Sequence, residues 1–270
     1  MRLEFAQIDA FADRPFTGNP AAVMPLHGWL DDAVLQQIAA ENNLSETAFL
    51  VPIGGSEDDG GEGPDFELRW FTPVSEVVLC GHATLASGHF VLSAAPERDR
   101  VRFRTRKSGV LEVARANGGY RMRLPAWRAA PRPLPELVSA LGLPADCPTF
   151  WHPHRYGLVV VESAEQVRAL DPDFRAMAKQ GDVLTIVTAP GDETDIISRA
   201  FAPGAGIDED PVTGSAHSVL VPYWTERLGR DRFSAYQASK RGGRLDCEAD
   251  GDHVILGGTC VTVIEGVFLV

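Results

Sequence analysis

Cysteine is scarce: four residues in a chain of 270, at positions 80, 147, 247 and 260. No two stand in Cys-x-x-Cys spacing, so the sequence predicts neither a zinc-ribbon type of site nor a disulfide framework, and mostly buried thiols instead. Positive charge is also short. Lysine and arginine number 25 against 37 acidic residues, giving a net charge of -12, and a nucleic-acid partner, which needs a basic face, is not expected. Long apolar runs are missing, and the start, Met1-Arg2-Leu3-Glu4-Phe5, lacks the apolar centre of a secretory signal. A cytoplasmic protein with no membrane partner is expected. There is no Gly-x-Gly-x-x-Gly after a strand and no P-loop lysine motif, so nothing asks for a nucleotide or any other cofactor. With 44% hydrophobic and 23% charged residues, the composition is that of a globular protein.

What the chain does have is one pattern stated twice. Arg69-x-Phe71-x-Pro73, Glu76 and Cys80-Gly81-His82-Ala83 are echoed by Arg199-x-Phe201-x-Pro203, Glu209 and Thr213-Gly214-Ser215-Ala216. The copies differ by a short insertion between proline and glutamate. We read this as a duplicated half, with a first half at 1–117, joined by the C-terminal strand 260–270, and a second at 118–259. If the halves pair about a pseudo-two-fold axis, two glycine-opened helix N-termini converge on one cleft. Their free N–H groups and macrodipoles attract anions, so Gly81, Gly214 and Ser215 are expected to bind a small-molecule carboxylate.

Along the chain, residues 2–11 and 21–26 predict strands around the turn Phe16-Thr17-Gly18-Asn19-Pro20. Asp31 or Asp32 is expected to cap a helix that ends near Asn42-Asn43. Glu46 follows, directly before an apolar strand. As a loop carboxylate it would be solvated; partly buried, its pKa would rise and suit it to carrying a proton to and fro. Residues 53–64, rich in glycine and acids, read as a surface loop. His82 falls in the first turn of a helix spanning 82–94, where the helix end is expected to lower its pKa and leave it neutral. His89 is expected to be structural.

The segment 100–113 alternates basic with apolar residues, as a solvated sheet face does. His152-Pro153-His154 sets two imidazoles close together but no third ligand, and no metal is expected. Asp210 is expected to orient the substrate or Glu46, or to cap the second helix with Pro211 at its first position. Pro222 is expected to kink or interrupt that helix. Residues 235–246 read as a loop.

Asp9-Ala10-Phe11, Gly18-Asn19-Pro20-Ala21-Ala22-Val23, Asn43-Leu44-Ser45-Glu46-Thr47-Ala48-Phe49, Gly81-His82-Ala83-Thr84-Leu85 and Asp210-Pro211-Val212-Thr213-Gly214-Ser215-Ala216 together resemble the PhzF family of phenazine-biosynthesis-like isomerases, over nearly the whole chain. The resemblance implies the α+β fold of diaminopimelate epimerase: two similar halves, each a mostly antiparallel sheet wrapped around a central helix, with the active site between them. It also implies a homodimer and a cofactor-independent isomerase. The family's catalytic glutamate, histidine and aspartate match Glu46, His82 and Asp210, its serine matches Ser215, and Asn19 joins the substrate-binding set. The family's named member moves a proton between ring carbons of trans-2,3-dihydro-3-hydroxyanthranilate, so the implied substrate is a small cyclic unsaturated carboxylic acid. Gln237-Ala238 and Gly243-Arg244-Leu245 depart from the family's usual Gln-Gly and Gly-Arg-Pro, at a loop expected to shape the pocket. Two rivals stand beside this reading. One is an amino-acid epimerase or racemase using paired thiols, for which Cys80 faces only Thr213 in the internal alignment; the other is a carboxylate-binding protein without turnover.

Overall fold

The computed structural model describes residues 1–54 and 63–270, so most of the glycine-rich acidic stretch lies outside the described residues. The chain divides into two compact units, Met1–Arg123 with Gly257–Val270, and Leu124–Leu256. Among the described residues no helix is long and apolar enough to cross a membrane.

The first unit contains β1 (Arg2–Ala10), β2 (Asn19–Pro25), α1 (Asp32–Asn42), β3 (Glu46–Pro52), β4 (Phe66–Phe71), β5 (Glu76–Val77), α2 (Gly81–Ala94), β6 (Arg100–Thr105), β7 (Val110–Ala116) and β8 (Gly119–Pro125). β7 and β8 form a hairpin across Asn117-Gly118, which carries the unit beyond that turn. The second unit contains β9 (Ala130–Pro131), α3 (Pro135–Ala140), β10 (Thr149–His152), β11 (Tyr156–Val160), α4 (Ala164–Arg168), α5 (Phe174–Ala178), β12 (Leu184–Pro190), β13 (Ile196–Ala202), β14 (Ile207–Asp210), α6 (Gly214–Leu228), β15 (Arg232–Gln237), β16 (Gly243–Asp250) and β17 (His253–Gly258). β18 (Cys260–Leu269) returns to the first unit, antiparallel to β1.

Strand pairing runs through the same sequence in both units. β1–β2 and β10–β11 are antiparallel, β2–β3 and β11–β12 parallel, β3–β4 and β12–β13 antiparallel. β4 then lies parallel to β6 as β13 does to β15, each crossover carrying a long helix, and β6–β7 and β15–β16 close as hairpins. The fold is α+β. The repeated arginine does the same work twice. Arg69 forks onto Glu76 with two bonds of 2.8 Å, and Arg199 onto Glu209 at 2.6 and 3.0 Å. Each guanidinium also lies over its neighbouring phenylalanine, 4.9 Å from Phe71 and 5.0 Å from Phe201. Partly buried forks of this kind fix a turn's geometry through charge-assisted bonds.

Register gives the equivalences residue by residue. Thr47 faces Phe71 as Thr185 faces Phe201, so Glu46 corresponds to Leu184. Cys80, Gly81 and His82 likewise correspond to Thr213, Gly214 and Ser215.

The first two turns of each long helix carry no acidic residue, lysine or arginine on any side, the pattern of a helix segment with no solvent face. In α2 every residue from Gly81 to Gly88 is buried, and in α6 every residue from Gly214 to Pro222. α2 packs against β1, β2, β3, β6, β7 and β18. A Cβ on Gly88 would stand 2.3 Å from Val113 Cγ1, so only glycine lets the helix lie this close to β7. α1 has a separate apolar cluster containing Leu35, Ile38, Phe49 and Phe71.

Three expectations need correction. α6 runs unbroken through Pro222, because the carbonyl of Ser218, which the proline cannot bond, accepts instead from Trp127 N–H at 2.8 Å. Residues 235–246 are mostly strand: β15 and β16 pair from Arg232–Glu248 to Gln237–Gly243. The buried alternation Phe233, Ala235, Gln237 and Leu245, Cys247 carries them, and the Ser-Lys-Arg-Gly turn hid it. α1 starts after Asp31, but no side chain caps it; Asp32, the other expected cap, is already inside the helix and pairs with Arg69 at 2.9 Å.

Candidate active site

In the first unit, Gly18 has φ +65°, and a Cβ there would meet the Ala10 carbonyl at 2.2 Å. Glycine alone allows this tight return, and it delivers Asn19 into the interior at the head of β2. β3 lies beside β2 with Ala21 facing Glu46, which brings Glu46 onto the same side. Asn43, at φ 49°, ends α1 in the left-handed conformation and turns the chain towards that strand. His82 comes from the first turn of α2, behind the N-cap residue Cys80.

The side chains meet around one imidazole. His82 Nε2 lies 3.1 Å from Glu46 Oε2, the two side chains being 3% and 13% exposed. On the other ring nitrogen, Asn19 Nδ2 stands at 3.0 Å and Cys80 Sγ at 3.5 Å. Glu46 Oε2 and His82 Nε2 are close but not aligned as a hydrogen bond, and both are buried without a hydrogen-bond partner, a costly state that a bound ligand would relieve.

Burial works against a charged imidazole here, yet Cys80 and the Glu46 carboxylate outweigh it, and the His82 pKa stands well above the ordinary value. Cys80 itself stays a thiol: burial first, then the nearby Glu46 charge, push its pKa up to about 11. Glu46 is therefore the charge that holds His82 protonated. This corrects the expected lowering. A helix end contributes a partial charge, and a full carboxylate at contact distance overrides it.

In the second unit Asp210 ends β14 and accepts from Thr213 Oγ1 at 2.5 Å. Thr213 is the N-cap residue of α6, so Asp210 does not cap the helix and Pro211 is not its first residue. Gln237 pins this turn: its Oε1 accepts from Thr213 N–H at 2.8 Å, and its Nε2 donates to the Asp210 carbonyl at 2.7 Å. Sequence reading missed Gln237 as a positioning residue, because a lone glutamine in a strand gives no signal. Gly214 and Ser215 open α6 and are buried.

Neither long helix has a side-chain cap. Among the described residues no acceptor faces the N–H groups of Gly81 and His82, or those of Gly214 and Ser215. Uncapped, buried helix starts of this kind suit an anion.

His89 is tied to Tyr120 Oη at 3.1 Å and Thr262 Oγ1 at 2.9 Å, a structural histidine. His152 and His154 stack on each other and on Trp127. A cluster that spacing did not reveal is Glu46, Cys80 and His82, whose donor atoms all lie within 4.8 Å of one another. The four cysteines are unpaired, as thiols.

The chain can now be set beside known proteins. The profile of the family described as phenazine biosynthesis-like protein, PhzC-PhzF, matches residues 8–142 and 149–266. An uncharacterized isomerase of Pseudomonas aeruginosa is 46% identical over 268 residues, 98% of each chain. A crystal structure of a PhzF-family phenazine biosynthesis protein from Enterococcus faecalis superposes with a TM-score of 0.89 at 42% identity, covering 100% of both chains. A hydroxyproline epimerase from Agrobacterium vitis shares the fold at a TM-score of 0.65 and 8% identity, over 98% of this chain and 92% of its own.

Proposed function

Because the chain belongs to the phenazine biosynthesis-like family, PhzC-PhzF, and is an isomerase of it, we propose that it moves a proton between carbons of a small, cyclic, unsaturated carboxylic acid without a cofactor. Glu46 takes the proton from one carbon, becomes a carboxylic acid, and returns it at another. His82, protonated, offers its N–H towards the charge that develops as carbon loses its proton. The uncapped N–H groups at Gly81-His82 receive the substrate carboxylate, with Asn19 orienting it; Gly214-Ser215, beside Asp210, give the second unit a helix start of the same anion-attracting kind. The observation that carries this reading is the buried pairing of Glu46 with His82 at 3.1 Å, where both facing atoms still lack a hydrogen bond.

The rival is epimerisation with Cys80 as the second acid or base, favoured by the short reach from Cys80 to Glu46. Against it stand the thiol's raised pKa and the threonine at the equivalent N-cap of α6. Proton NMR in deuterated water, with a panel of unsaturated and amino carboxylic acids, separates the two. The isomerase incorporates deuterium at a carbon remote from the starting C–H, and Cys80→Ala retains this. Label confined to an inverted α-carbon and lost in Cys80→Ala would establish the epimerase.

We also propose a homodimer. β18 exposes Val267 and Leu269 on one face of the strand, an apolar pair that a second copy would cover. Sedimentation showing a monomer at micromolar concentration would refute it.

A further inference from the structure

Three side chains bearing three kinds of metal donor converge from separate elements: a carboxylate at the start of β3, a thiol at the N-cap of α2 and an imidazole in its first turn. Their donor atoms lie within 4.8 Å of one another. A second, independent feature points to a ligand: Glu46 Oε2 and His82 Nε2 are both buried and lack a hydrogen-bond partner. Proton transfer to and from carbon uses Glu46 and His82 but gives Cys80 no task.

We propose that Glu46, Cys80 and His82 form an inhibitory site for a thiophilic divalent cation of the zinc class. The proposal rests on the reading of Glu46 as the base, because the cation would occupy the carboxylate oxygen that accepts the proton. Zinc takes thiolate at about 2.3 Å and imidazole or carboxylate at about 2.0–2.2 Å, which sets neighbouring ligand atoms roughly 3.3–3.6 Å apart in a tetrahedron. The Glu46–His82 separation of 3.1 Å is already near that value, whereas the Cys80 thiol, now 3.5 Å from Nδ1, must turn about its Cα–Cβ bond to the Nε2 side, closing by up to about 1.5 Å from the 4.8 Å limit to complete the set.

The imidazole would bind through Nε2. Its Nδ1–H is then donated to Asn19, whose amide is 3.0 Å away and presents oxygen once turned about its last bond. A metal-bound histidine requires such an outer partner. Three protein ligands leave the fourth position for water or for a substrate carboxylate. On binding, the Cys80 S–H and the His82 N–H bonds break, sulfur and nitrogen each keep their electron pair for the cation, and the protons pass to solvent. No redox step is involved.

The test is titration of the chelator-stripped, full-length protein with Co2+ under anaerobic conditions, followed by optical spectroscopy. The wild type is expected to bind one equivalent with a near-ultraviolet thiolate-to-cobalt charge-transfer band and tetrahedral visible bands, both erased by an equivalent of Zn2+. Cys80→Ser should abolish the thiolate band while Cys147→Ser keeps it. Glu46→Gln, which retains the shape of the side chain, should weaken binding by at least about tenfold, the loss typical of even an outer-shell partner. No thiolate band in the wild type, or a band that survives in Cys80→Ser, overturns the proposal. Proton exchange run with chelator present tests the isomerase separately. Exchange without a cobalt band defeats the metal site alone, and a cobalt band without exchange on any acid defeats the isomerase reading alone.

Discussion

His82 and His217 are two buried histidines held in opposite charge states, and each makes its own prediction. His82 sits against a carboxylate, so its folded pKa is raised well above the ordinary value. The stability it contributes is complete below its unfolded value of about 6.5 and is lost as pH climbs through the raised folded value. Imidazole NMR of the apo protein should show the His82 midpoint above about 6.5, falling in Glu46→Gln. A midpoint that does not move in the variant would remove Glu46 as the cause. His217 is fully buried without a carboxylate. Burial pushes its pKa down to about 4, against the pull of the Thr213 carbonyl, which its Nδ1 reaches at 2.8 Å.

The unfolded chain therefore binds a proton at His217 that the native state refuses, and stability declines as pH falls from about 6.5 towards 4. The loss is roughly 3 kcal/mol for a shift of this size. Denaturant unfolding at pH 7 and pH 5 should show about 2 kcal/mol of it, the rest appearing nearer pH 4, and His217→Thr should flatten the difference. Threonine is the residue at the equivalent place in α2, where Thr84 Oγ1 donates to the Cys80 carbonyl at 2.6 Å.

At the scale of the element, the close seat of α2 on β7 depends on Gly88. An alanine there would gain about 1 kcal/mol of helix propensity, but its Cβ would fall 2.3 Å from Val113 Cγ1. We expect Gly88→Ala to destabilise by about 1–3 kcal/mol through overpacking, and Gly88→Ala with Val113→Ala to recover part of that loss in a double-mutant cycle. Additive losses would show that the helix simply shifts. Both long helices were legible in the sequence because glycine opened them and no polar face interrupted them. The survival of α6 through Pro222 was not legible: the substitute donor, Trp127 N–H, lies far from Ser218 in the chain. The hairpin of β15 and β16 was hidden for a local reason, since its turn composition extends into the ends of both strands.

At the scale of the whole molecule, duplication set the topology and divergence set the chemistry. The same strands, crossovers and arginine forks recur. At the matching positions the first unit carries Glu46, Cys80 and His82 where the second carries Leu184, Thr213 and Ser215. Of these positions only that of Glu46 holds a carboxylate, which fits the proposed isomerase that returns the proton it removes. The repeat Arg-x-Phe-x-Pro and its glutamate exposed the duplication directly in the sequence. The meeting of Glu46, Asn19 and His82 was legible only through resemblance, and that of Cys80 with them did not come from it, because the four come from three elements joined by long-range strand register. The charge state of His82 depended on its contact with Glu46, distant in the chain, which no local rule supplies.

Glu46 as the carrier of carbon-bound hydrogen is the centre of this account, and Glu46→Gln tests it most directly. With any carboxylic acid that the wild type labels from deuterated water, the variant should still bind the acid, seen as a raised melting temperature. Its deuterium incorporation should fall by about 10^2 to 10^4. Incorporation at the wild-type rate in a folded, ligand-binding Glu46→Gln would contradict the account and require another base.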